Sequence, residues 1–267
     1  MKIENATAPE ETIGSELDRI EALINSSQMR RMRANRREAP GYIRPKNAAT
    51  MILLDGSSGE PKVLMGRRNK KLKFMPGALV FPGGSVDRHD GSVPSKNELS
   101  DITRKRLIAS MRGRPTDRGA RALGLAAIRE VSEESGLLLG QPGKFSDAHT
   151  HWADFRENGI VPCLSSLRLF SRAVTPPGMN RRFDTWFFLA HASEIGFTPP
   201  GGFSPDGELE DLQWIAPEAA IAEDTREITR VMLLELVKRL REDRDMSEEY
   251  PAPFYYTVGS RFHKKLI

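Results

Sequence analysis

An α+β fold follows from three features of this sequence: short apolar runs bounded by turn residues, two long helical patterns, and an order in which helices flank strands without alternating strictly with them. Residues 48–54 form one apolar run and residues 62–68 a second. Between them Asp55, Gly56 and Pro61 supply turn chemistry, so the segment predicts a β-hairpin. A third strand is expected over residues 78–81. It runs into Pro82, Gly83 and Gly84, where missing side chains let backbone approach a ligand closely. A helix over about residues 98–111 ends at Gly113 and Pro115, and another over 117–135 ends at Gly136, a residue suited to a left-handed cap. The stretch to residue 165 reads as loop. Strands near 167–173, 183–190 and 209–215 and a helix over about 225–242 follow, with no internal repeat.

The 267 residues fit one large domain with an insert or two small ones, and a 39% hydrophobic content supplies a core. No apolar run reaches the ~18–20 residues of a membrane helix, and the start MKIENATAPEE lacks the basic region and apolar core of a secretory signal. These features predict a cytoplasmic protein with no membrane partner. Cys163 is the single cysteine, which excludes an internal disulfide and a cysteine-based zinc site and reads as a small buried apolar residue. The 40 basic and 36 acidic residues nearly balance, to +4, but Arg30, Arg31, Arg33, Arg36 and Arg37 form a run without an acid. With no interleaved aromatics to stack on bases, that run reads first as a solvated, partly helical tail, with a polyanion-binding arm as the alternative. Residues 1–45 are therefore expected to be an N-terminal arm, partly helical or disordered, ahead of a domain over 46–267.

The helix over 117–135 carries the chemistry. Spacings of three and four residues place Glu130, Glu133 and Glu134 on one exposed face about a turn apart, while Ala127, Ile128 and Val131 face the body. Like charges so placed destabilise a helix by a few tenths of a kcal/mol per pair, about 0.2–0.5. Carboxylate oxygens are the ligands that hard cations such as magnesium prefer, so a divalent ion would turn that repulsion into binding. A solvated acidic face is the ordinary reading of such a helix; the glycine-rich strand end upstream, Phe81 to Gly84, argues against it here.

Together these segments resemble the signature of the Nudix hydrolases, G-x5-E-x7-R-E-U-x-E-E-x-G-U with U aliphatic. Arg129 to Leu137 match every defined position of its second half. Counted back without a gap, Pro115 and Arg121 stand where the glycine and glutamate belong. Gly84, five residues and Asp90 reproduce the first half, with aspartate for glutamate and 38 residues before Arg129. The insert, about 91–116, is tolerable because closure entropy grows only logarithmically with length. An interrupted box resembles the branch that includes coenzyme A diphosphatases, whose upstream motif is similar to L-L-T-x-R-[SA]-x3-R-x3-G-x3-FPGG. Leu64, Arg68, Gly77 and Phe81 to Gly84 hold that register, whereas Met65, Gly66, Asn69 and Lys73 depart from it. The runs FMPGALVFPGG and RRFDTWFF look like the same branch.

The resemblance implies an α/β/α sandwich with a mixed sheet, a helical insert within the box, and magnesium, or manganese, held by the Gly83 carbonyl and by Glu130, Glu133 and Glu134. It implies that Arg129 orients the glutamates and pairs with Asp90, with Gly84 in structural support. The expected partner is a small nucleotide diphosphate, best read as coenzyme A or acyl-coenzyme A. Another nucleotide (NADH, a nucleotide sugar, an RNA cap), a silent binding module and a homodimer stay open. Candidates to activate water are Glu208, Glu210 and Glu133. Arg67, Arg68, Lys73, Arg181 and Arg182 are candidates to bind phosphate, for which arginine forks are suited. The pair His149 and His151 reads as exposed loop histidines, because no matching third ligand accompanies it.

Overall fold

The computed structural model describes residue 18, residue 22, residue 25 and residues 43–72, 76–204, 207–258 and 261–267. The expected arm over 1–45 lies almost wholly outside them, as does Lys73.

The predicted hairpin is present: β1 (Lys46–Asp55) and β2 (Lys62–Arg68) pair antiparallel, with Leu54 opposite Val63. Two short strands continue it. β3 (Leu79–Val80) pairs with β2 and β4 (Gly83–Ser85) with β1, so the single expected strand over 78–81 is broken at Pro82, which has no N–H to give a ladder. β7 (Arg168–Val174), β8 (Phe183–His191), β10 (Leu209–Ile215), β11 (Pro253–Val258) and β12 (Arg261–Leu266) complete a nine-stranded sheet among the described residues, in the order β10-β2-β1-β8-β7-β11-β12. The sheet is mixed, because β1 runs parallel to β8 and β11 parallel to β7 while the remaining pairs are antiparallel.

Two helix layers cover its faces. Alternation along β1 divides one apolar run between them: Met51 and Leu53 pack with Leu125, Ile128 and Val131 of the long helix Asp117–Ser135, while Ile52 and Leu54 pack with Val231, Leu233 and Leu234 of the helix Glu227–Glu242. In chain order the helices are α1 (Asp101–Ser110), α2 (Asp117–Ser135), α3 (Ala153–Glu157), α4 (Pro217–Ala222) and α5 (Glu227–Glu242).

The insert expected over 91–116 holds α1, capped by the Ser100 hydroxyl, which accepts from the Thr103 N–H at 3.1 Å. Arg121 fastens it, donating to the Gly91 and Val93 carbonyls at 3.1 Å each, to Ser95 Oγ at 2.8 Å and to Glu98 at 2.6 Å. The stretch expected to be loop contains β5 (Leu138–Pro142), α3 and β6 (Ile160–Pro162), and β5 also pairs with β9 (Ile195–Phe197). Tertiary pairing makes these strands, since each is too short to carry a periodic signal.

Candidate active site

α2 is fixed at both ends before its acids enter the argument. The Thr116 hydroxyl accepts from the Gly119 N–H at 3.0 Å, and Gly136 closes the helix at φ 77°. Between these caps the helix runs beside β4, which brings the acids against the glycine pair. Glu134 Oε2 accepts from the Gly83 N–H at 2.8 Å. A Cβ on Gly84 would stand 2.5 Å from the Glu130 carboxylate oxygens, and one on Gly83 would stand 2.5 Å from Thr50 Oγ1. On Gly83 the clash extends to the backbone, with the Ala49 carbonyl and Thr50 Cα at 2.7 Å, which excludes a side chain, whereas on Gly84 the Glu130 carboxylate would have to move.

Arg129 organises the cluster from beneath. Its Nε donates to Asp90 Oδ1 at 3.0 Å and its Nη2 to Asp90 Oδ2 at 3.2 Å and to the Ser85 carbonyl at 2.8 Å. Its Nη1 reaches Glu130 Oε1 at 2.9 Å and Glu133 Oε2 at 2.8 Å. Asp90, fully buried, thus meets Arg129 across the insert. Burial alone works against the guanidinium charge, but Asp90, Glu130 and Glu133 outweigh it and hold the proton more firmly than usual.

The acidic face is not exposed as expected. Glu134 is only 2% accessible, and the Glu130 and Glu133 side chains are 12% and 22% accessible. Burial, with help from Glu133 and Glu208, pushes the Glu130 carboxyl up to about 7 against the attraction of Arg129. Burial, Glu130 and Glu208 raise Glu134 well above the ordinary range, although the Gly83 N–H and Arg68 pull the other way. Among the described residues no three His, Cys, Asp or Glu side chains form a ready metal-ligand set. Arg129 holds Glu130 and Glu133 to one side, while Gly83 holds Glu134.

No protein-family model matches the chain. Putative nudix hydrolase 7 of Caenorhabditis elegans is 27% identical over 190 residues, covering 67% of this chain and 54% of that protein. Acyl-coenzyme A diphosphatase NUDT19 of Xenopus laevis is 26% identical over 213 residues, covering 62% of this chain and 55% of that protein. By sequence, the chain is similar to Nudix hydrolases. It spans about half the length of these two curated relatives. Among solved structures, a NUDIX hydrolase from Alicyclobacillus acidocaldarius aligns at 24% identity and TM-score 0.48, over 75% of this chain and 85% of that one.

The remaining residues singled out in the Nudix reading divide by position. Arg68 and Glu208 lie 3.4 Å apart at the slot, where their charges act on Glu134. Arg67, one residue along β2 and so on the opposite face, pairs with Glu223 instead. Glu210 is exposed on β10 opposite Arg67, and its charge is not among the leading influences on Glu130 or Glu134. Arg182 is buried and donates to the carbonyls of Thr175 at 3.1 Å and Ile43 at 2.7 Å, so its guanidinium serves the fold and not a phosphate. Exposed Arg181 precedes β8. Phe183, at the start of that strand, stands opposite Lys46, whereas Gly83 stands opposite Thr50 on β1; that separation is about 13 Å along the strand. Of the described candidates to bind phosphate, Arg68 is thus the one that the structure brings beside the glutamates.

Two groups were missed. Arg121 holds the insert, and it stands where an uninterrupted signature would put a glutamate, which is the one hint the sequence offers. His149 and His151 are not two unconnected loop histidines: they stack with His89 beside Glu133. Asp147, buried beneath them, carried no sequence signal.

Proposed function

We propose that this chain hydrolyses the diphosphate bond of a nucleoside diphosphate-linked small molecule with the help of magnesium or manganese, and that the substrate is coenzyme A or an acyl-coenzyme A. One observation carries the reading: a buried arginine gathers two glutamates of one helix face, a third is held by the glycine-rich strand end, and burial makes the charge of two of the three costly.

The donors fit a hard divalent cation. They are all carboxylate oxygens, and buried Glu133 Oε1 has no aligned hydrogen-bond donor. Glu130, Glu133 and Glu134, with the backbone at Gly83, would hold the ion. Once bound, it would neutralise the charge that develops on the diphosphate. Arg129 keeps Glu130 and Glu133 in place through contacts that end in Asp90 and Ser85. Arg68 meets a phosphate at the mouth of the slot. Glu208, whose side chain is 53% accessible, is the carboxylate assigned to take the proton of the attacking water. Water adds across the P–O–P bridge, leaving a phosphopantetheine half and an adenosine bisphosphate half.

The substrate assignment rests on the partial motif at Leu64, Arg68 and Gly77 and on relatives that bear the name acyl-coenzyme A diphosphatase. A panel of coenzyme A, acyl-coenzyme A, dephospho-coenzyme A, NADH, nucleotide sugars and dinucleoside polyphosphates, incubated with magnesium and read by mass spectrometry, tests both levels. Cleavage of coenzyme A with reduced efficiency on dephospho-coenzyme A is expected, because a group that pairs with the 3′-phosphate would lose its partner. A clear preference for NADH or a nucleotide sugar defeats the coenzyme A assignment alone; no cleavage of any diphosphate defeats both.

A further inference from the structure

Three imidazoles distant in sequence stack into one column against the acidic helix. His89 follows β4, whereas His149 and His151 come from the loop after β5. The His89 and His149 rings lie 4.5 Å apart at 17°, and the His149 and His151 rings 5.0 Å apart at 19°. Asp147, buried, anchors one end, accepting from His89 Nε2 at 2.8 Å and from the His149 N–H at 2.8 Å. At the other end His151 Nδ1 contacts Glu133 Oε1. That approach lies off the line of a hydrogen bond, so Oε1 keeps a lone pair directed elsewhere.

Glu133 is thereby held from two sides. Arg129 Nη1 takes Oε2 at 2.8 Å, and His151 stands at Oε1. Both arms lead back to one loop: the His89 N–H donates to Asp87 Oδ1 at 2.7 Å, and the Asp87 N–H donates at 2.8 Å to Asp90 Oδ2, on the same Asp90 that grips Arg129. The histidine column is not what fastens its own loop. Phe145, Trp152 and Phe155 are buried there against one another, and Arg156 Nη1 donates to the Asp147 carbonyl at 2.8 Å.

We propose that His151, braced by His149 and His89 and anchored on Asp147, is a positioning residue that sets the orientation of Glu133 toward the divalent cation. This rests on the reading of Glu133 as a metal ligand. A glutamate free to rotate must lose its rotamer freedom when it binds an ion, and a side chain already restrained at both oxygens has less to lose. Groups that orient a metal ligand are commonly worth about 10–100-fold in metal affinity.

The test uses the full chain and Mn2+ as probe, with the free aquo ion followed by electron paramagnetic resonance and Tm measured for each variant. His151→Ala is expected to weaken Mn2+ binding about 10–100-fold with Tm little changed. His151→Asn, whose Nδ2 replaces the imidazole Nδ1, is expected to recover most of the loss. His151→Gln, whose amide reaches toward the place of Nε2, is not. His89→Ala cuts the column near its anchor and is expected to weaken binding by a smaller factor. A wild-type chain that binds Mn2+ alongside a His151→Ala variant of equal affinity overturns the positioning role and leaves the metal reading intact. Recovery by Gln equal to that by Asn, or by neither, also overturns it. A wild-type chain that takes up no Mn2+ overturns both readings.

Discussion

Arg129 and Asp90 form the fixed point on which the glutamates hang. Both are buried, so removing one partner leaves the other as an uncompensated charge in a poorly solvated place. Arg129→Met should destabilise the fold by about 3–5 kcal/mol. For a domain of this size that is a fall in Tm of about 10 °C, measurable by calorimetry; a Tm within about 2 °C of wild type would show that Asp90 finds another partner. Glu134→Gln keeps an oxygen to accept from the Gly83 N–H and removes the charge. Turnover should therefore fall by more than the ~10–100-fold typical of a lost outer partner, with Tm held or raised because a costly buried charge has gone. Near-normal turnover in this variant removes Glu134 from the ligand set. Of these residues the sequence showed Arg129, Glu130, Glu133 and Glu134 through a spacing that one helix enforces. It hid Asp147 and the histidine column, which exist only where two loops meet.

At the scale of elements, the site is a helix laid against a strand end with no room between them. Gly84→Ala tests that closeness. Its Cβ would meet the Glu130 oxygens at 2.5 Å, so either the carboxylate swings away or β4 lifts from β1. Mn2+ affinity and turnover are both expected to drop at least about tenfold while secondary structure by circular dichroism stays unchanged, since loosening a metal ligand's surroundings costs on that order. Retained Mn2+ affinity would mean that Glu130 is not a ligand in the orientation seen. The strand Lys62–Arg68, the helix Asp117–Ser135 and the strand Leu209–Ile215 were legible because turn or cap residues border each of them. β5, β6 and β9 were not, being three to five residues long and defined by pairing alone. The hairpin of β11 and β12 was missed although its signal was present: two β-prone runs, PFYYTV and RFHKKL, separated by Gly-Ser.

Across the whole molecule, two apolar cores clamp the sheet between α2 and α5, and that rigidity forces like charges together at one end of α2. The consequence is a linkage between protons, cations and stability. Glu130 faces Arg129, Glu133, Glu134 and Glu208, and its carboxyl is pushed up to about 7 from an ordinary 4.5; Glu134 is displaced in the same direction. A folded carboxyl that binds its proton more tightly than the unfolded chain does favours folding at low pH. That contribution is fully present below about 4.5 and is lost as pH rises through about 7. Chelated protein should therefore lose what remains of this contribution between about pH 5.5 and about pH 8. A divalent cation binds the deprotonated pair, so the rise in Tm produced by excess magnesium should be small at about pH 5.5 and larger at about pH 8, where no proton competes. Scanning fluorimetry in chelator and in magnesium at the two pH values measures both differences. The double variant Glu130→Gln, Glu134→Gln should abolish the magnesium increment and flatten the pH dependence of the chelated form. A magnesium increment equal at both pH values, or larger at the lower one, would place the cation away from these two carboxylates.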